Sequence, residues 1–140
     1  LFEEFSLYEG SGGAGEQRGG FGVNYTIRMR RGPARASMVM DHGRTGPLGA
    51  LGGSEGGVNK VTVEMRGATY KPPHLSKDQD IQLQPGDCIR VSTPGGGGYG
   101  DPRRRDPAKV ARDVARGYYS REEAERLFGV RFRADGSAYR

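Results

Sequence analysis

Tryptophan is absent from this 140-residue sequence, cysteine occurs once, and fewer than a fifth of the positions are Leu, Ile, Val or Phe. A lone Cys88 excludes a disulfide framework and a thiolate-rich metal cluster. No apolar run approaches the roughly 18 residues that a membrane-spanning helix needs, and no signal-peptide pattern opens the chain. A cytoplasmic location is the resulting expectation. So few large apolar residues build a thin core, so part of the stability is expected to come from outside the chain. It reads as a subunit or a piece of something larger, and an opening Leu1 in place of methionine agrees with processing or truncation.

What the sequence has instead is glycine, at 25 positions, and a formal net charge of +5. The charge invites a nucleic-acid reading. Its placement argues against one, because the arginines gather at Arg28, Arg30, Arg31 and Arg35 and again at Arg103–Arg105, with acids interspersed elsewhere. No nucleic-acid partner is expected. Nor do the glycines form a nucleotide fingerprint. Gly10, Gly12 and Gly15 match G-x-G-x-x-G, but a strand follows rather than the helix whose N-terminus would hold a pyrophosphate. "PGGGGYGDP" lacks the Lys-Ser/Thr pair of a P-loop, and "RGGFG" occurs once rather than in a repeated RNA-binding tract.

In "GRTGPLGALGG", Gly43, Gly46, Gly49 and Gly52 recur every three residues, the period of a polyproline-II helix. Such spacing gives one bare edge along which another backbone can approach closely. Gly10/Gly13 and Gly19/Gly22 repeat it. The glycine runs are therefore expected to be packed segments joined by backbone hydrogen bonds, with flexible loops as the alternative.

Around these runs the first 100 residues alternate as short strands. The clearest is "VNYTIRMRR", with Val23, Tyr25, Ile27 and Met29 on one face. "EEFSLYE", "ARASMVMD" and "VNKVTVEMR" follow the same period, and "DIQLQPGDCIRVST" reads as two strands joined at a Pro85-Gly86 turn of type II. After residue 100 the period changes. Asp106 and Pro107 start a helix that Gly117 ends, and Ser120 with Glu123 forms a capping box for a second helix ending at Gly129. The expected fold is mainly β, with barrel- or sandwich-like sheets and polyproline-II-like segments, followed by a pair of short α-helices. Its divisions are a glycine-rich β region over 1–100, the helical pair over 101–130, and a tail or hairpin around Asp135-Gly136 over 131–140.

The motifs themselves are similar to a known family. "SGGAGEQRGGFGV" resembles the "GGAGxxRGGxG" signature of the hydantoinase B/5-oxoprolinase family, and "PLGALGGSEGG" resembles its "GLxGGxxG" segment. The stretch from Leu83 to Val130 resembles that family's C-terminal run of glycine-rich loop, "GDP" and two helices. The likeness spans residues 6 to 130 in order.

The resemblance implies a component of an ATP-dependent cyclic-amide hydrolase acting with a hydantoinase A-type subunit that binds the ATP. Relatives instead carboxylate ketones. It also implies that the chain corresponds to the C-terminal part of a longer subunit, whose metal ions and much of whose catalytic equipment lie upstream. Within this chain, Arg18 and Arg44 are candidates for binding a phosphorylated intermediate, and Asp41 with His42 for acid–base chemistry. Adjacent strand residues point to opposite faces, which counts against the last pair. His74 is expected to be exposed, Cys88 to be a small buried hydrophobe, and no group has the spacing of a metal site. A non-catalytic docking domain remains open, as does a basic RNA-binding module.

Overall fold

A computed structural model describes residues 1–140. Seven strands come first: β1 (Phe2–Leu7), β2 (Val23–Arg28), β3 (Ala34–Val39), β4 (Lys60–Met65), β5 (Ala68–Tyr70), β6 (Lys77–Leu83) and β7 (Cys88–Ser92). A 3-10 turn at Pro102–Arg104 leads into helices α1 (Pro107–Ala115) and α2 (Arg121–Phe128), and a small hairpin, β8 (Arg131–Phe132) and β9 (Ala138–Tyr139), ends the chain. The fold is mainly β with two short helices at the C-terminus.

Five strands form one antiparallel sheet in the order β1-β2-β7-β4-β5, and β3 pairs with β6 in a separate two-stranded sheet. The sheets stay open, which corrects the expectation of a barrel: no pairing joins one sheet to the other or β1 to β5. They stack as a sandwich instead. Val61, Val63 and Val91 from the large sheet meet Met38, Ile81 and Leu83 from the small one. Gly86, at φ +97°, and the Asp87 N–H donating to Gln84 O at 3.0 Å complete the expected Pro-Gly turn. That turn does not close a hairpin. It carries the chain from one sheet to the other, because β7 is claimed by β2 and β4. The two-residue loop between β4 and β5 escapes a reading by turn residues because Arg66 occupies a left-handed position, φ +52°. Its N–H donates to the Asp87 carboxylate at 3.0 Å, which holds the turn.

The glycine runs pack against one another. Gly13 N–H donates to Gly96 O, Gly98 N–H to Ser54 O, Ser54 N–H to Ala14 O and Gly57 N–H to Ser11 O, all within 2.6–2.9 Å. Three segments, residues 11–22, 46–57 and 95–100, are thus bonded side by side. Close approach demands the missing side chains: a Cβ on Gly13 would lie 2.2 Å from Ser54 O. The expectation of packed segments holds, and flexible loops do not describe these runs.

A second core ties this layer to the helices. Val110 of α1, Ala124 and Phe128 of α2, Tyr119 and Val130 bury themselves against Ala14, with Phe21 alongside. The helices begin and end where their caps dictate. Asp106 accepts from Ala108 N–H with Pro107 behind it, and Ser120 and Glu123 make the reciprocal capping box ended by left-handed Gly129.

Candidate functional site

Where β3 ends, the chain turns sharply before entering the glycine layer. Met40 N–H donates to Ser76 O at 3.2 Å, and Ser76 Oγ returns a bond to Met40 O at 2.9 Å. The segments 40–45 and 74–77 are thereby clamped around an open pocket of about 290 Å³. His42 and Leu75, both on its wall, sit in left-handed conformations at φ +61° and +62°. Non-glycine residues held there store backbone strain, a feature that gathers at functional sites. Asn59 N–H donating to His42 O at 2.8 Å helps to hold the first of them.

The pocket brings together Asp41, His42 and Arg44 with His74 and Lys77. Both histidines of the chain, 32 positions apart in sequence, therefore line the same pocket. The strand-alternation objection to Asp41 and His42 lapses, because β3 has ended at Val39 and left-handed His42 breaks the alternation. Asp41 does not bond to His42, however. Its carboxylate pairs with Lys77 Nζ at 2.7 Å, and that hydrogen bond holds it below the usual Asp range. The pair is exposed, so its energetic weight is small. His42 Nδ1 lies 3.2 Å from Thr45 O. Arg44 is exposed and makes no ion pair.

Arg18 lies elsewhere. Its Nε donates to Asp113 of α1 at 3.0 Å, its Nη1 to Gly19 O, and its guanidinium stacks over the rings of Phe21 and Tyr118. The buried Arg105 approaches the same carboxylate at 2.9 Å and donates to Glu16 O, while its Nε has no partner. Asp113 thus sits between two arginines and bolts the helices to the glycine layer. Glu16, two residues from Arg18 in sequence, faces exposed Arg104 instead.

Cys88 is fully buried with Sγ 3.3 Å from Glu64 Oε2, and burial, reinforced by that carboxylate, raises its thiol pKa. A thiolate nucleophile is disfavoured there. No three His, Cys, Asp or Glu side chains gather at a metal-binding distance. The sequence reading missed His74 and Lys77 as pocket residues and Asp113 as the partner of Arg18. The β3–β6 pairing brings the first two in, and no local signal announces it.

The family model for hydantoinase B/oxoprolinase matches residues 1–102. The chain belongs to this family. It is 34% identical over 137 residues to caprolactamase subunit beta of Pseudomonas jessenii, covering 93% of this chain and 23% of that one. It is 36% identical over 100 residues to 5-oxoprolinase of Saccharomyces cerevisiae, covering 71% of this chain and 8% of that enzyme. The crystal structure of the ATP-dependent caprolactamase superposes with a TM-score of 0.73 at 29% identity, over 96% of this chain and 24% of its own. A nucleotide-free acetone carboxylase structure shares the fold, with a TM-score of 0.71 at 19% identity over 99% of this chain. This chain thus spans less than a quarter of the length of these relatives.

Proposed function

We propose that this chain is the C-terminal portion of a B-type subunit in an ATP-dependent enzyme that opens cyclic amides such as hydantoins, 5-oxoproline or lactams. The kinship with caprolactamase subunit beta along nearly the whole chain carries the reading. In this proposal a hydantoinase A-type partner binds ATP, the rest of the B-type subunit supplies any metal ions, and the enzyme works in the cytoplasm. The chain alone is inactive. Residues 1–100 form the glycine-rich β unit, 101–130 the helical brace and 131–140 a closing hairpin. The glycine runs act as polyproline-II-like rods, a reading supported by their mutual hydrogen bonds and the lack of room for a Cβ.

An amide carbonyl is a poor electrophile. Phosphorylating the oxygen of its imidate form with ATP creates a leaving group that water can displace. The developing charge on such an intermediate calls for cations and N–H donors. Arg44, exposed and without a carboxylate partner, suits that role. Arg18 would first have to leave Asp113. His42 and Asp41 share the pocket of Arg44, which suits proton transfer at the same place, with Lys77 withdrawn from Asp41 when it acts.

The fold shared with acetone carboxylase supports a second reading, in which the substrate is a ketone phosphorylated on its enol oxygen: transfer of the phosphoryl group to water releases phosphate and the enolate, whose carbon then attacks carbon dioxide. Reconstituting the complete A- and B-type enzyme with ATP and a panel of lactams, hydantoins and ketones decides between them. Ring-opened amino acid released in step with ADP is expected. Carboxylated ketone would favour the second reading, and no ATP-dependent turnover of either class would remove both.

A further inference from the structure

β1 is an edge strand whose six residues are all exposed, although three of them are large and apolar. Phe2 is 65% exposed, Phe5 73% and Leu7 46%. Register places them on the face that carries the sandwich core. Phe5 lies opposite Tyr25, Leu7 opposite Val23 and Phe2 opposite Ile27, and Tyr25 packs against the core. The apolar face of the large sheet therefore continues past its cover. At about 4.8 Å per strand, five strands span about 24 Å and two strands about 10 Å. The small sheet engages the far side, where Tyr70 of β5 donates to Asp78 of β6. Nothing in the chain lies over β1, and a contiguous apolar patch of this kind marks an interaction surface.

We infer that an apolar segment from the rest of the B-type polypeptide covers the Phe2–Phe5–Leu7 face and completes the sandwich over β1 and β2. The occupant follows from the chain that is missing. The caprolactamase chain superposes on this fold over only 24% of its length, so three-quarters of that polypeptide lies outside it and meets it through some surface. The apolar face of β1 is a surface that this fold leaves unfinished, and the one that continues its core. The inference rests on the B-type reading above.

Cysteine labelling tests it. Phe5→Cys and, as a control, Val39→Cys, which lies on the outward face of β3 and is 85% exposed, are placed in two settings. One is the 140-residue chain. The other is full-length caprolactamase subunit beta whose matching quarter is replaced by this chain. Maleimide uptake at each site is read by peptide mass spectrometry, which separates it from that of Cys88, buried in this chain. We expect the Phe5→Cys site to react at least tenfold more slowly in the chimaera, and the Val39→Cys site to react equally in both. Equal reactivity at Phe5→Cys would overturn the inference and leave the B-type reading standing. So would protection already present in the isolated chain together with a dimer in sedimentation, since a second copy would then cover the face. A chimaera with the unsubstituted segment that fails to assemble would remove the B-type reading, and this inference with it.

Discussion

Two adjacent glycines offer a sharp test of the packed layer. A Cβ on Gly19 would lie 1.9 Å from Gly96 O and 2.5 Å from Gly96 C, whereas one on Gly20 would meet nothing within 4 Å. Ordinary contact begins at 3.4 Å, so Gly19→Ala must drive two backbones apart by well over an ångström. Three hydrogen bonds lie in the path: Gly13 N–H to Gly96 O, Gly19 N–H to Gly13 O and Gly96 N–H to Gly20 O, each 2.9 Å. A bond lost with its groups left buried costs about 1–3 kcal/mol. Gly19→Ala should therefore destabilise by roughly 3–5 kcal/mol, against a typical total of about 5–15 kcal/mol. Gly20→Ala should be neutral or gain up to about 1 kcal/mol by restricting the unfolded chain. Urea denaturation followed by circular dichroism reads both. Equal stabilities, or a loss confined to Gly20→Ala, would refute the idea that the first glycine run is wedged against the third.

Asp113→Asn removes the charge held between Arg18 and the buried Arg105; a loss of about 3–5 kcal/mol is expected in the same urea assay. Ser120→Ala breaks the capping box of α2 and should cost about 1 kcal/mol, read as a fall in melting temperature. Stability should decline as the pH drops below the ordinary values of 4.5 for Glu and 3.8 for Asp. The folded state holds Glu64 low through its hydrogen bond from Arg90, and Asp87 low through the N–H groups of Gln84 and Arg66. A depressed carboxyl stabilises above its unfolded value and loses that contribution as it protonates, so Asp87→Asn should flatten the acid limb of a melting-temperature profile. Arg44→Gln should leave the melting temperature unchanged, because the side chain makes no ion pair. It should lower ATP-dependent turnover of the complete enzyme at least tenfold if Arg44 holds the phosphorylated intermediate.

The helix pair was legible down to its caps. Asp106, Pro107, Ser120, Glu123 and Gly129 each act within three or four residues of themselves, and the free energy of a cap is local. The period-three glycines were legible in part: Gly13, Gly19, Gly22, Gly46 and Gly49 do lie against another backbone, whereas Gly43 meets side chains of Leu75 and Ser76, Gly52 has only ordinary contact and Gly10 has open space beside it. The strand faces were half legible. Tyr25 and Met29 do turn to the core, yet the most deeply buried residue of β2 is Thr26 on the opposite face, where Thr26 Oγ1 donates to Glu4. The family motifs added what periodicity had no means to say.

Spacing and local chemistry, then, settled where the chain runs straight, where it turns, where the helices begin and which segments accept a close neighbour. Only the tertiary structure decided that the sheets remain open, that Arg18 answers to Asp113 95 positions away, and that Asp41, His42, Arg44, His74 and Lys77 share one pocket. These outcomes depend on which strand pairs with which and in what register. Pairing energy comes from contacts between residues distant in sequence, and such contacts leave no periodic trace in either partner alone.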